Sequence, residues 1–492
     1  MSRIDVTTSG LEAPNYIGGE WVNGSGKEAQ VISPYTGKAC GKTYFSNSSD
    51  VEQAISAARK NQKEWANTPL KARTAVMFNF RNILIRDMDK ITNIVGLECG
   101  KAFGEAKAEV LKGIEVLEYA LSLQNSDMGG RLEVSRGVHC EYRRESLGVV
   151  ASVTPFNFPA MVPMWTIPIA IVLGNAYVWK PSEKTPLTSK LIADAFTEAG
   201  LPAGLLTVVQ GDHEAVNAII DHPEVKALAF VGSSKIAHLL YARATSLGKR
   251  ALCMGGAKNH IILLPDADLE VSGMGISDSF TGCAGQRCMA ASVLLAVGDV
   301  ENHIAKIKER ADRQVLGEMM GAIITKEQLE FLNGAIEQAI KDGAKVILDG
   351  RNAKAPAGLE EGFWMGATIL DNVKAGSNAA VAELFGPILC IVRCENLSEA
   401  IEIQNSSDYG NAASVFTSSG PMAEYVASRA QCGMFGVNIG VPVPREPFSF
   451  GGVKASKFGH GDITGDHCLD FWTNVKKITT KWEVQTDATW MS

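Results

Sequence analysis

At 492 residues the chain is long enough for two or three domains with a large buried core, and too long for one small domain. Apolar residues make up 46% and charged residues 21%, the balance of a soluble globular protein, which argues against a disordered or fibrous chain. With 47 basic and 54 acidic residues the net charge is −7 and no long block of either sign occurs; this points away from nucleic acid and toward a small-molecule partner.

The opening stretch MSRIDVTTSGLEAPNY lacks the apolar core of a secretion signal, and the ten cysteines show no framework spacing, so the expected compartment is the cytoplasm. Residues 51–125 read as helices: Val51, Ala54, Ile55 and Ala58 share one face of VEQAISAARKNQKEW. GVHCEYRRES (137–146) alternates polar and apolar residues, as an exposed antiparallel strand does. From 147 onward apolar strands alternate with helices, the pattern of a parallel sheet covered on both faces. The uncharged run from Phe158 to Trp179 is about long enough to cross a bilayer. Pro163, Pro168 and the Gly174-Asn175 pair interrupt it, and it reads as a buried helix running into a buried strand rather than a membrane span. A second alternating series runs from HIILLP at 260 to FGVNIG at 440. DFWTNVKKITTKWEV (470–484) alternates again; paired with 137–146 it would project a ribbon suited to an oligomer contact. The expected fold is α/β, two doubly wound α/β domains plus a small β-ribbon.

Several stretches carry chemistry. In TPFNFP (154–159) Pro155 and Pro159 fix a turn that holds the Asn157 amide among apolar residues, where it must donate to something: an oxyanion, or its own backbone. VWKPSEKTP places Lys180 and Glu183 after a buried strand, suited to ribose hydroxyls or to an ordinary solvated loop. No G-x-G-x-x-G occurs; LAFVGSSKIAHLL instead ends a strand at Gly232, and Ser233 or Ser234 can cap a helix with apolar face Ile236, Leu239, Leu240, whose free amides favour a phosphate. FTGCAGQRCMAAS (280–292) contains Cys283 and Cys288. Zinc would need further ligands at short spacings, and GHGDITGDHC near the C-terminus matches no ligand pattern, so no metal is expected. A disulfide is disfavoured in a reducing compartment. The remaining readings are a nucleophile whose pKa Arg287 or a helix start would lower, and an inert buried cysteine.

In this order TPFNFP, WKPSE, FVGSS, GQRC and ELFGP resemble the aldehyde dehydrogenase superfamily over almost the whole chain. GAKNH (256–260), GQRCMA (285–290), VPVPREPFSFGG (441–452) and FWTNVKKITTKW resemble its methylmalonate-semialdehyde dehydrogenase branch, which oxidises aldehydes with NAD and passes the acyl group to coenzyme A. The resemblance implies an NAD-binding domain (1–125 and 149–255), a catalytic domain (256–450) and an oligomerisation ribbon (126–148 and 465–492), assembled as a homodimer or homotetramer. It implies that Cys288 is the nucleophile and that Asn157 with the Cys288 N–H forms the oxyanion hole. Thr154, Phe156, Lys180, Glu183, Lys184 and Ser233 would line the adenosine and phosphate part of NAD, with Glu383 and Phe385 near the nicotinamide ribose; a carboxylate at Glu183 would repel a 2′-phosphate. Arg287 would clamp a substrate carboxylate, and Lys112 stands where the branch has a second arginine, a change that keeps charge but loses the fork.

Hydrolytic members carry ELGGK, with its glutamate 34 positions before the cysteine; here the ungapped match is MGGAK, which places Met254 there, and a shift of one gives Cys253. Water, with a pKa near 15.7, needs a base, whereas a thiol with a pKa of about 8.5 already supplies some thiolate. The expected reaction is therefore NAD-dependent, CoA-acylating oxidation of malonate or methylmalonate semialdehyde; the alternative is hydrolysis to a free acid through another carboxylate.

Overall fold

The computed structural model describes residues 3–126 and 129–482. Five short strands come first: β1 (Leu11–Ala13), β2 (Asn15–Ile17), β3 (Glu20–Val22), β4 (Glu28–Ser33) and β5 (Lys38–Tyr44). β1, β5 and β4 form a small sheet, while β2 and β3 extend the edge of the first large one. Four helices follow, α1 (Ser48–Asn67), α2 (Leu70–Arg86), α3 (Met88–Cys99) and α4 (Phe103–Ser122). α1 starts where it does because the Asn47 side chain accepts from the Ser49 and Asp50 amides while Asp50 accepts from the Asn47 amide, a reciprocal cap. The expected stripe of Val51, Ala54, Ile55 and Ala58 is buried.

After β6 (Gly129–Ser135) and β7 (Val138–Ser146), the first sheet is built from β8 (Val149–Val153), α5 (Met161–Val172), β9 (Ala176–Lys180), α6 (Leu187–Glu198), β10 (Leu206–Val208), α7 (His213–Asp221), β11 (Val225–Val231), α8 (Ser234–Ser246) and β12 (Arg250–Met254). Its parallel core runs β12-β11-β8-β9-β10. β8 and β9 are buried at every position, as strands covered on both faces must be. The Phe158–Trp179 run is the 12-residue α5 followed by β9, and no helix among the described residues is long and apolar enough to cross a membrane. On α8 the expected face is wrong: Ile236 and Leu239 are exposed, and Ala237, Leu240 and Ala244 pack inward instead.

The second sheet holds β13 (Asn259–Leu263), reached again after α9 (Leu269–Thr281) by β14 (Ala291–Val297), then β15 (Lys345–Leu348), β16 (Thr368–Asp371) and β17 (Ile388–Cys394). Past the two-residue β18 (Tyr409–Gly410), β19 (Ala412–Phe416) and β20 (Met434–Val437) complete it in the order β15-β16-β17-β14-β13-β19-β20, parallel except at β15. β21 (Val453–Lys454) pairs with β18, and β22 (Lys457–Phe458) closes the far edge of the first sheet against β12. β23 (Thr473–Lys481) pairs antiparallel with β7 from Thr473 opposite Ser146 to Lys481 opposite Val138, and β6 adds a third strand. The two alternating segments thus do form one ribbon; residues 483–492, 127–128 and 1–2 of the expected domains lie outside the described residues.

Candidate active site

The in-register pairs Val153–Lys180 and Val231–Met254 bring the carboxyl ends of β8, β9, β11 and β12 to one sheet edge, where open parallel sheets bind ligands. There lies a cavity of about 530 Å³ lined by all eight residues expected on the cofactor side, Thr154, Phe156, Lys180, Glu183, Lys184, Ser233, Glu383 and Phe385, together with Asn157 and Cys288. Lys180 is buried and pairs with Glu183 at 3.3 Å; burial pulls its pKa below the ordinary lysine value while Glu183 opposes that shift. Thr154 Oγ1 accepts from Trp179 Nε1 at 2.8 Å. Phe156 meets Phe385 edge-on at 5.8 Å, and Lys184 Nζ sits 5.1 Å from the Phe156 ring centre. Ser233 occupies the cap position of α8 without a side-chain capping bond. Ser234 instead donates to the Ala455 carbonyl at 2.5 Å and accepts from the Gly256 amide at 2.9 Å. A Cβ on Gly256 would run into the Glu383 carboxylate, whose Oε1 accepts from the Ala257 amide at 2.8 Å.

Cys288 follows α9 through an unusual turn: Cys283, Ala284 and Gly285 all have positive φ (54°, 51° and 68°). Glycine is needed at 285 twice over, by its backbone conformation and because a Cβ would collide with Gly386 of the ELFGP stretch. Gln286 then pins the loop: its Nε2 donates to the Ala322 carbonyl at 3.1 Å, its Oε1 accepts from the Ile324 amide at 2.9 Å, and its own carbonyl accepts from Asn157 Nδ2 at 3.0 Å. The Cys288 carbonyl is held by Asn259 Nδ2 at 2.8 Å and Asn411 Nδ2 at 2.9 Å. Asn157 is 6% exposed, and its amide hydrogen bond to the loop places it beside the thiol in the cavity lining.

A second cavity, of about 510 Å³, opens on the other side of Cys288 and shares Phe158, Trp165 and Cys288 with the first. Arg287 and Lys112 both line it, with Glu105, Glu109, Glu115, Arg445 and an apolar wall that includes Met161, Val441, Val443 and Phe450. The thiol therefore stands between two cavities. Behind the shared wall, Lys101 and Glu109 form a buried ion pair at 2.5 Å; Lys101 sits 3.5 Å from the Phe158 ring centre, and Glu109 also accepts from the Ala160 and Met161 amides at the start of α5. Glu105 accepts from the Cys283 and Ala102 amides, and burial pushes its pKa up.

The electrostatics of the thiol differ from expectation. Burial pushes Cys288 up to about 12, and Glu383 adds to the shift; Arg287 and Lys101 pull downward but do not prevail. No helix starts at Cys288. Cys283, 8% exposed, is pushed up to about 11 by burial and faces the same second cavity. Cys253 and Met254 are buried within β12, and neither lines either cavity. All ten cysteines are free thiols. Among the described residues no group of three His, Cys, Asp or Glu side chains is placed to hold a metal. In GHGDITGDHC, Asp462 is engaged by Lys457 and His467, and Asp466 accepts from Tyr119 at 2.7 Å.

Sequence reasoning missed Asn259, Asn411, Gln286, Glu105, Arg445 and the Lys101–Glu109 pair. The two asparagines had a usable signal, a lone amide beside the apolar runs HIILL and AASVF, the same argument that singled out Asn157. The others had none.

A cleft at the edge of a parallel sheet that meets a loop-borne thiol with an asparagine amide beside it is the site of an oxidoreductase of the aldehyde-oxidising class, as the family match shows. The chain belongs to the aldehyde dehydrogenase family, whose model matches residues 21–478. It is 40% identical over 476 residues to malonate-semialdehyde dehydrogenase 2 of Geobacillus thermodenitrificans, covering 95% of this chain and 98% of that one. It is 38% identical over 483 residues to the malonate-semialdehyde dehydrogenase of Halalkalibacterium halodurans, covering 96% and 99%. Among solved structures, the methylmalonate-semialdehyde dehydrogenase of Oceanimonas doudoroffii superposes with a TM-score of 0.94 at 38% identity, covering 97% of this chain and 99% of that one. A Sinorhizobium meliloti protein solved in complex with NAD superposes at 0.95 with 36% identity, covering 98% and 100%.

Proposed function

We propose that this protein catalyses NAD-dependent, CoA-acylating oxidation of a small carboxylated semialdehyde, malonate or methylmalonate semialdehyde, to an acyl-CoA. The observation that carries the reading is the placement of the Cys288 thiol between two cavities, with no carboxylate at Met254 or Cys253. The names of the relatives support the substrate class.

The first cavity fits NAD. The amides opening the 13-residue α8 are left uncapped by Ser233 and suit a phosphate, and the Lys180–Glu183 pair suits ribose hydroxyls. Glu183 favours NAD over NADP by repelling an added phosphate. When bound, NAD supplies the hydride acceptor. Cys288, once deprotonated, forms the S–C bond to the aldehyde carbon as the carbonyl π-bond breaks. Asn157 and the Cys288 N–H hold the resulting alkoxide, and loss of the hydride leaves a thioester on Cys288. Asn259 and Asn411 hold the carbonyl of this same residue. Phe158 and Trp165 line both cavities beside the thiol. The CoA thiolate then attacks the thioester carbon and expels the Cys288 thiolate, so no protein base is required to activate water.

Arg287 and Lys112 both face the aldehyde side, and in this reading Arg287 binds the substrate carboxylate while Lys112 adds positive charge to the same wall; Arg287 Nη2 donates to the Asp278 and Ser279 carbonyls, while its Nε is buried without an acceptor. The exposed Leu132 and Val134 on β6 support ribbon-mediated assembly into a homodimer or homotetramer, and ten free thiols support a cytoplasmic setting. An NAD-binding domain (1–125 and 149–255), a catalytic domain (256–450) and an oligomerisation ribbon (126–148 and 465–492) belong to the same reading. The test is steady-state turnover of malonate semialdehyde and NAD with and without CoA, with products identified by mass spectrometry. Acyl-CoA and strong CoA dependence are expected; equal turnover without CoA and a free acid product would overturn the acylating assignment.

A further inference from the structure

The charges around the second cavity do not cancel evenly. Lys112, the expected stand-in for a second arginine, is held by Glu115 at 3.0 Å and by Glu446 at 3.8 Å. Glu446 is only 6% exposed at its side chain, and its Oε2 has no hydrogen-bond partner, so this buried carboxylate depends on Lys112 for its neutralisation. Glu109 is matched by Lys101, and Glu105 is turned to two backbone amides. Two cations on the cavity wall form no ion pair among the described residues: Arg287, whose side-chain bonds go only to neutral carbonyls and whose charge is offset by the nearby Glu105 alone, and Arg445, exposed on the loop that carries Val441, Val443 and Phe450, whose side chain makes no hydrogen bond. Two guanidiniums without an ion pair, set beside the apolar wall of Met161, Val441, Val443 and Phe450, select a carboxylate, because a guanidinium presents a planar fork of donors that a lysine lacks.

We infer that Arg445 is a specificity-determining residue, supplying from the mouth of the cavity the second guanidinium that Lys112 does not provide, so that the substrate carboxylate is received between Arg287 and Arg445. This inference rests on the carboxylated-semialdehyde reading above. Lys112 then acts mainly by neutralising Glu446 and Glu115.

The test compares kcat/KM for malonate semialdehyde with kcat/KM for propanal, which has the same chain length and no carboxylate, in the wild type, Arg445→Gln and Arg445→Lys. The ratio should fall roughly tenfold to a hundredfold in Arg445→Gln, the loss expected when hydrogen bonds to a charged group disappear, and should recover in part in Arg445→Lys. A wild type that prefers the semialdehyde, with that preference intact in Arg445→Gln, would overturn the role of Arg445 and leave the substrate reading standing. Equal losses on both aldehydes would also overturn it, since a merely structural residue gives that result. A wild type with no preference for the semialdehyde would overturn the substrate reading and this inference together.

Discussion

The Cys288 thiol gives the sharpest test of the site's electrostatics. With the thiol pushed up to about 12 by burial and by Glu383, the thiolate fraction at about pH 7.5 is roughly 3 in 100,000, against roughly 1 in 11 for an ordinary cysteine with a pKa of about 8.5. Alkylation of the cofactor-free enzyme by iodoacetamide should therefore be roughly three thousandfold slower at Cys288 than at an unperturbed, accessible thiol. The rate, read by peptide mass spectrometry at Cys288, should climb about tenfold per pH unit through pH 10 without levelling off. Glu383→Gln removes a negative charge that disfavours the thiolate and should raise the rate at every pH; Arg287→Gln removes a favourable positive charge and should lower it. A plateau at or below about pH 8.5 would refute the reasoning, because it would mean that Arg287 and Lys101 outweigh burial. An unchanged rate in Glu383→Gln would remove that carboxylate from the account.

Asn157→Ala should lower kcat by about a hundredfold to a thousandfold, the cost of losing one oxyanion donor, with NAD affinity retained in a fluorescence titration; a loss below about tenfold would place the oxyanion elsewhere. Lys101→Met leaves the buried Glu109 carboxylate without its cation and should destabilise the protein by about 3–5 kcal/mol, seen as a lower urea midpoint, and a midpoint equal to wild type would show that the Ala160 and Met161 amides suffice. His260 is held down to about 3 by burial and by Lys258, so the folded protein keeps it neutral while the unfolded chain takes up a proton below about 6.5. Stability should thus fall as pH drops from about 6.5 toward about 3, by up to about 1.4 kcal/mol per pH unit from this residue. Urea midpoints of His260→Gln should show a shallower acid limb; an identical limb would assign acid lability to other groups.

What could be read from sequence follows from how far each signal reaches along the chain. The helices of 51–125 and the strands β8, β9, β11, β13, β14 and β17 carry continuous or periodic apolar patterns, and these fix burial locally. β1, β2 and β3 are three residues each, too short for a period to emerge, and β4 and β5 belong with β1 to a small sheet apart from the two large ones. α8 misled because Ile236 lines the cofactor cavity, so its apolar character serves the cleft and not the core. In the site, Asn157 and Cys288 stand out by local chemistry, but that chemistry alone leaves the thiol open between nucleophile and filler; the ordered motifs across the chain carry the nucleophile reading. Of the second cavity's wall, Arg287 and Lys112 are legible through the motifs, whereas Glu105 and Arg445 come from distant segments that only the tertiary fold brings beside them. The net direction of the Cys288 pKa is hidden in the sequence for a related reason: the arginine beside it, which does pull downward, is visible, whereas the burial and the Glu383 charge that outweigh it are not.

The question of what releases the acyl group is narrowed by how the nearby carboxylates are used. A general base needs an available lone pair within hydrogen-bond reach of the water it activates. On the cofactor side, one oxygen of Glu383 is occupied by the Ala257 amide. On the aldehyde side, Glu109 is committed to Lys101 and to two amides, and Glu105 to the Cys283 and Ala102 amides. Freeing any of these acids would disturb the start of α5, the turn before Cys288 or the Gly256 cradle. A hydrolytic route would thus be left with the second oxygen of Glu383 or with Glu115, which is already held by Lys112. A thiol acceptor that brings its own ionisable group needs none of these residues to move. This is why the empty position at Met254 favours acyl transfer over hydrolysis more strongly in the folded protein than it does in the sequence, where the other carboxylates around Cys288 are not apparent.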